Sequence, residues 1–564
     1  MHDNDYQTIQ GFRLSPQQRR LWQLQQQSAA FVAQGVIEIN GALCETTLRA
    51  ALQQLVQRHD LLRAVFHELP GMKAPVMAIE ETAELEWARG DAASAVTEDL
   101  ASHLLRARQR PFALAEGPVL RAMLLSLAEH RSALILTLPA LCADAASLSN
   151  LTAELSQLYT ARQQGAGLPA PELSYVQYAE WQNQLAENAA TGEGKAYWQS
   201  QQLAELPALC LPQTITTEPT TAFVPVAHEF FCDERLSARI TGTAQRLGTS
   251  ASLFLQAVWQ TLLARLSGQQ EFVLGVIDQG REFEVLQPGV GLFARTLPVR
   301  SRWRFEQPFQ QALAQLGDAV RSAVEWQDDF PWATEGEAGR QDGEFFPVRF
   351  EYVEASGEHR AGSVSFRLTE QYVCCERFHV KLVCMVAGEG LRLALQYDPH
   401  RLSGSAVARL AQQFLTALAS ACTQPEELVE RLNILPTAER GQLLTFAQTT
   451  DQQIGASLFP QLFEAQVARV PERDERTGIE QVLSNQEGGH DPSLLDGAVE
   501  GVPGQIASEI PRRARLHLSA PRSPMPPPRP VWRTWTRESA PNCWPARMRW
   551  TAISPPRRPS ATCR

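Results

Sequence analysis

Apolar positions recur with two periods along the first 445 residues. Leu48, Leu52, Leu55 and Val56 fall on one face of a helix that Thr46 or Thr47 can cap. Ala133 to Leu138 (ALILTL) is an apolar run with Thr137 as its one hydroxyl residue, the pattern of a strand covered on both faces, and Pro139 interrupts it. After a short loop, Leu148, Leu151, Leu155 and Leu158 recur at spacings of three, four and three, which predicts an amphipathic helix of about four turns. Gly165 to Pro171 reads as a linker. The second half again alternates helix and strand, with a helix over 251–266, a strand over 272–277, a loop, a strand over 292–299 and a helix beginning near Pro308. The expectation is an α/β protein of two lobes with a cleft between them.

Composition changes that picture only at the C-terminus. Residues 501–564 hold thirteen Pro, four Trp and twelve Arg against two acids, with no apolar period. Such a stretch cannot bury enough apolar surface to offset its ordering entropy, so it is expected to be disordered. It carries about +10 of a net charge of −11, so the preceding 500 residues are acidic and fit nucleic acid poorly as a partner. The ten Cys form no CxxC pair, which argues against structural zinc; Cys374 and Cys375 are adjacent, but His379 alone completes no metal site. The N-terminus lacks a signal-peptide core, and the apolar run Ala133 to Ala143 is too short to span a bilayer. A cytoplasmic protein with no membrane or metal site is the expectation.

Six blocks carry a family resemblance. They are Leu14 to Gln26 (LSPQQRRLWQLQQ), Arg58 to Phe66 (RHDLLRAVF), Tyr175 to Gln182 (YVQYAEWQ), Gln279 to Arg300 (QGREFEVLQPGVGLFARTLPVR), Gln327 to Trp332 (QDDFPW) and Phe345 to Tyr352 (FFPVRFEY). Any one is weak, but six in order resemble the condensation domains of nonribosomal peptide synthetases. The resemblance implies two chloramphenicol-acetyltransferase-like lobes in a V, with a central tunnel entered from opposite faces by the phosphopantetheine arms of carrier proteins. It implies acyl transfer from a donor thioester to an acceptor amine, with no cofactor bound by the domain itself. Residues 1–172 and 173–445 would form the two lobes. Leu458 to Glu472 resembles the start of an adenylation domain, so 446–472 reads as linker plus a truncated start. No phosphate-binding loop and no carrier-protein serine motif follows. Residues 473–564 read as a disordered tail, with a frameshift as the favoured origin and a natural disordered linker as the alternative.

The family's catalytic loop reads HHxxxD, the second His acting as base or orienting the amine. Aligned by the buried strand, this chain reads Pro139-Ala140-Leu141-Cys142-Ala143-Asp144. Ala140 stands at the catalytic His position and has neither lone pair nor titratable proton, which forfeits a contribution of about 10²–10⁴-fold in rate. Proximity of two tethered thioesters could still support some transfer. Pro139 also fails the DxxxxD pattern of heterocyclising relatives. Asp144 is retained, and the resemblance implies a structural salt bridge from it to Arg281. Cys142 is a nucleophile by type, but its favoured reading is a small buried residue turned from the tunnel. His59 reads as packing its helix end, and Ser147 as a first-turn capping residue. The resemblance sets Pro139, Leu141, Gly291 and Arg295 along the tunnel. Arg295 stands where Asn is usual; a solvated, outward placement is favoured over an inward cation.

Three functions fit these residues. The first is a condensation-fold platform for carrier proteins, other synthetase subunits or a tailoring enzyme, since some relatives without a working HHxxxD recruit tailoring oxygenases. The others are an active but divergent acyltransferase and a non-functional truncation product.

Overall fold

The computed structural model describes residues 11–449, apart from 26–27, 73, 92–98, 170–172, 189–191, 213, 216–222, 331–345, 355–356 and 388–389. The chain divides into two units, Met1–Thr450 and Asp451–Arg564. The expectations for residues 451–472 and for the tail 473–564 lie outside the described residues, as do Pro331 and Trp332 of the fifth block.

Two six-stranded sheets organise the first unit. The first runs in the order His359–Ala361, Val364–Val373, Val32–Asn40, Arg131–Pro139, Arg121–Ala128 and Glu86–Asp91. Its central strand Arg131–Pro139 is the apolar run seen in the sequence, buried from Ala133 onward. The one polar residue within the run, Thr137, lies opposite Gln34 on the neighbouring strand, and Gln34 Nε2 reaches its Oγ1 at 3.2 Å. Helices Glu45–Arg58 and Ala145–Gln164 pack one face of this sheet through Leu48, Leu52, Leu55, Leu148, Leu151, Leu155 and Leu158. Each such Leu contributes roughly 1.5–3 kcal/mol when fully buried.

The second sheet runs in the order Arg295–Arg302, Glu271–Asp278, Val348–Glu354, Val380–Ala387, Gly390–Tyr397 and Val226–Cys232. Val348–Glu354 pairs in parallel with both its neighbours. Helices Glu234–Arg246, Ala251–Ser267, Phe309–Glu325 and Gly404–Thr423 supply its core. The strand expected over 292–299 starts later, at Arg295, because Gly291 to Ala294 are spent on the turn that meets Asp144.

Two local expectations change. The helix over Leu48–Val56 starts at Glu45 with Cys44 at its N-cap, so Thr46 and Thr47 lie in the first turn and cap nothing through the backbone. Chain order also does not separate the sheets: His359–Ala361 and Val364–Val373 come from the second half, yet complete the first sheet by pairing Val364–Val373 with Val32–Asn40. This exchange ties the halves together through a backbone ladder as well as through side chains.

Candidate functional site

The turn after strand Arg131–Pro139 is held from three directions. Ala140 N–H donates to Phe31 O at 3.1 Å, and Cys142 N–H donates to Pro139 O at 2.9 Å. Gln18 Nε2 donates to Leu141 O at 2.8 Å, which fastens the first block to this turn. Ala140, Leu141 and Cys142 have no exposed surface and share an apolar cluster with Phe31, Tyr175 and Phe378.

Asp144 ends the turn and caps helix Ala145–Gln164, accepting Ser147 N–H on Oδ1 at 2.9 Å. Its carboxylate is fully used. Oδ1 also accepts from Arg281 Nη2 at 2.9 Å and lies 2.7 Å from Ser147 Oγ. Oδ2 accepts from Arg281 Nη1 at 2.8 Å, and from Phe293 N and Ala294 N at 2.9 Å each. Burial alone would raise the Asp144 pKa. The Arg281 guanidinium and the Ser147 donors outweigh it and hold the carboxyl below its ordinary value. Arg281 further donates to Gly289 O and stacks on the Phe293 ring, 4.4 Å from its centroid. The bidentate pair is therefore a clamp between the motif loop and residues 280–294.

Gly291 closes that clamp. Its φ is +156°, and a Cβ placed there would lie 2.1 Å from Tyr175 Cδ2. Gly280, at φ +63°, would bring a Cβ within 2.1 Å of Phe293 O. Both turns need glycine for close approach. Tyr175 itself donates to Leu292 O at 2.9 Å and lies 3.2 Å from Ser15 Oγ, linking the first, third and fourth blocks.

A small cavity of about 30 Å³ adjoins the carboxylate of Asp144. Its lining includes Asp144, Arg295, Arg349, Glu351, Glu376 and Lys381. The charges are paired. Arg349 Nη2 donates to Glu376 Oε2 at 2.8 Å, and Arg20 Nε donates to Glu376 Oε1 at 2.9 Å. Burial would raise the Glu376 pKa, but Arg20 and Arg349 together bring it down to about 2. Lys381 Nζ donates to Glu351 Oε2 at 2.7 Å and to Val373 O at 2.8 Å.

The positions set along the tunnel by resemblance separate here. Of these four, Arg295 borders this cavity; Pro139, Leu141 and Gly291 do not. The favoured outward placement of Arg295 is incorrect. Arg295 is buried, its Nη1 paired with Asp328 and its Nη2 3.4 Å from Tyr178 OH. An aspartate one turn beyond helix Phe309–Glu325 makes the inward position tolerable. Cys142 is enclosed, and burial pushes its thiol pKa well up, which suppresses the thiolate that a nucleophile needs. His59 caps the end of helix Glu45–Arg58 and meets Glu154 at 2.6 Å. No histidine lines the cavity among the described residues.

Arg349, Glu351, Glu376 and Lys381 do not stand out from the sequence pattern as site residues. A signal exists for two of them: Arg349 and Glu351 are charged residues two apart on one face of a strand whose other residues before the terminal Glu354 are Val, Phe and Tyr. Lys381 is one of three lysines among 51 basic residues and also sits in a buried strand. No ligating group of three or more His, Cys, Asp or Glu occurs among the described residues, and no described helix is long and apolar enough to cross a membrane.

These elements define a two-sheet condensation-domain fold clamped by a buried Asp–Arg pair. The family model described as Condensation domain matches residues 9–444, and the chain belongs to that family. Its relatives are nonribosomal peptide synthetases. Tyrocidine synthase 2 of Brevibacillus parabrevis is 27 % identical over 473 residues, which cover 82 % of this chain and 13 % of that protein. Surfactin synthase subunit 2 of Bacillus subtilis (strain 168) is 32 % identical over 320 residues, 56 % of this chain and 9 % of that protein. The chain thus spans a small part of the length of the synthetases it matches. Among solved structures, the first condensation domain of the CDA synthetase superposes with a TM-score of 0.69 at 18 % identity, covering 76 % of this chain and 99 % of that one. The X-domain from teicoplanin biosynthesis superposes with a TM-score of 0.63 at 22 % identity, covering 76 % and 98 %.

Proposed function

We propose that this condensation domain does not form amide bonds by the histidine route and serves instead as a docking platform. Its partners would be carrier proteins with their phosphopantetheine arms, other synthetase subunits or a tailoring enzyme. The observation that carries the reading is Ala140. The residue where a base is needed is a methyl group with no exposed surface, packed in an apolar cluster. A methyl group cannot accept a proton from an attacking amine.

The charged cavity offers no ready substitute. Asp144 and Glu376 are held as carboxylates by two or more cationic or backbone donors each. Lys381 already uses two donors on Glu351 and Val373. Cys142 is buried as a thiol. By contrast the scaffold is intact: the Asp144–Arg281 clamp and the Gln18 and Tyr175 tethers all stand. A fold kept whole around an empty catalytic position fits binding better than turnover. The teicoplanin X-domain, which shares the fold, has been solved in a complex with OxyB.

Calorimetric titration of the full chain with loaded carrier proteins tests the reading. Saturable binding without consumption of the thioester is expected. Absence of binding to carriers and to a tailoring enzyme alike would sink it, and rapid consumption of the thioester would favour a divergent acyltransferase.

A further inference from the structure

Strand Val364–Val373 belongs to the first sheet, yet it also touches the second, and the seam between them is thin. A small apolar cluster lies in the seam: Val353, Val383 and Met385, with Ala145 and Ala394 packed against them. Beside it the pairing of Val364–Val373 with Val32–Asn40 shifts between Leu368 and Glu370, which leaves Thr369 as an extra residue. Arg392 Nη1, from strand Gly390–Tyr397 of the second sheet, donates to Thr369 O at 2.6 Å. Gln371 Nε2 lies 3.8 Å from Met385 Sδ. Val373, at the end of the same strand, lines the cavity beside Asp144.

Glu370 stands at this joint, half-buried. Glu229 of strand Val226–Cys232, Arg392, and Arg108 of helix Leu100–Gln109 all act on its charge. Among the described residues, neither acid and neither arginine forms an ion pair. Arg392 instead serves Thr369 O and lies over the exposed Phe231 ring, and Arg108 lies over the Tyr372 ring, 4.6 Å from its centroid. Burial keeps the Tyr372 hydroxyl protonated. The other titratable groups on these elements are engaged elsewhere. Glu38, on the neighbouring strand, accepts from Asn40 and Arg131. His228 lies on the opposite face of its strand from Glu229, stacked with Phe230. His103, on the helix of Arg108, lies beside Gly90.

Burial and the Glu229 carboxylate raise the Glu370 pKa above its ordinary 4.5, and Arg392 and Arg108 offset them only in part. Parting the sheets here returns Glu370 to water and to its ordinary value. Proton binding therefore favours the joined seam, and that advantage is lost as pH rises from about 4.5 through the raised value. We propose that Glu370 is a proton-operated latch between the two sheets. Neutral, it lets strand Val364–Val373 seat against Gly390–Tyr397 and Val226–Cys232; ionised, it pushes them apart. The latch is independent of the Ala140 position and requires no condensation activity.

The test uses the full chain with nitroxide labels on keto-bearing unnatural residues at Leu105 and Ala227, both exposed and on opposite sides of the seam. Label separation is read by pulsed electron resonance on samples frozen between about pH 5 and about pH 8. The wild type is expected to give a short separation at the acid end and a growing longer component as pH rises. Glu370→Gln should keep the short separation throughout. Glu229→Gln should shrink the pH response, because the repelling carboxylate is gone, and it carries the test alone if Glu370→Gln does not fold. A wild-type separation that ignores pH would overturn the proposal, as would a longer component that grows on acidification. A pH response that persists in Glu370→Gln, or is undiminished in Glu229→Gln, would assign it to another group and overturn the latch.

Discussion

Replacing Asp144 by Ala should be among the most damaging single changes in this fold. The side chains of Asp144 and Arg281 are each 1 % exposed. Removing the carboxylate leaves the guanidinium buried without its counter-charge, which costs about 3–5 kcal/mol. The N-cap of helix Ala145–Gln164 is lost as well, worth about 1 kcal/mol, and the Phe293 and Ala294 amides lose their acceptor. Arg281→Met alone should cost about as much for the mirror reason, a stranded carboxylate. The double variant removes both charges and should cost clearly less than the sum, with a coupling of about 2–3 kcal/mol. Urea unfolding followed by tryptophan fluorescence gives the midpoints and slopes needed. A loss below about 1 kcal/mol in Asp144→Ala, or simple additivity in the double variant, would refute the clamp.

Four further outcomes follow from the geometry. Glu376→Gln should destabilise by about 3 kcal/mol at neutral pH, from a carboxyl held near 2 by Arg20 and Arg349 rather than near 4.5. Because the folded pKa is the lower one, this stabilisation is complete above the unfolded value and is lost as pH falls toward 2. The gap between wild type and variant should therefore close over pH 5 to 2, and a constant gap in pH-dependent unfolding would contradict the assignment. Gly291→Ala should destabilise by about 1–3 kcal/mol or more through the clash with Tyr175, measurable as a lowered unfolding midpoint. Ala140→His should cost about 1–3 kcal/mol, since an imidazole must enter a site with no exposed surface; a neutral change in the unfolding midpoint would show that the loop opens freely. In brief alkylation of the native chain at pH 7, Cys44 should react early. Thr46 and Thr47 hydroxyls lower its pKa to about 7, whereas buried Cys142 should stay unmodified in peptide mass spectra.

Much of the fold is legible in the sequence because it is local. The run Ala133–Leu138 and the Leu148–Leu158 period each define one element, and both stand where the pattern puts them. The Asp144–Arg281 pair is legible only through the resemblance, since 137 residues separate the partners. The same kind of separation hides the rest of the charged cavity. Arg20, Arg349 and Glu376 come from three distant segments, and no spacing rule brings them together. Arg295 is misplaced by sequence reasoning because its partner Asp328 lies on a different element, 33 residues on. The strand pair His359–Ala361 and Val364–Val373 cannot be assigned to the first sheet by periodicity, which sets the faces of a strand but not its neighbours.

The most direct measurement is single-turnover condensation by the full chain, with donor and acceptor carriers loaded in trans and carrier-bound product followed by mass spectrometry. Wild type and Ala140→His are run beside a reaction without the chain. The account predicts no wild-type product above the uncatalysed background, with carrier binding intact. Product from Ala140→His alone would agree with it and make the missing imidazole the decisive loss. Wild-type product well above background would contradict it and identify the domain as an acyltransferase that works without the histidine.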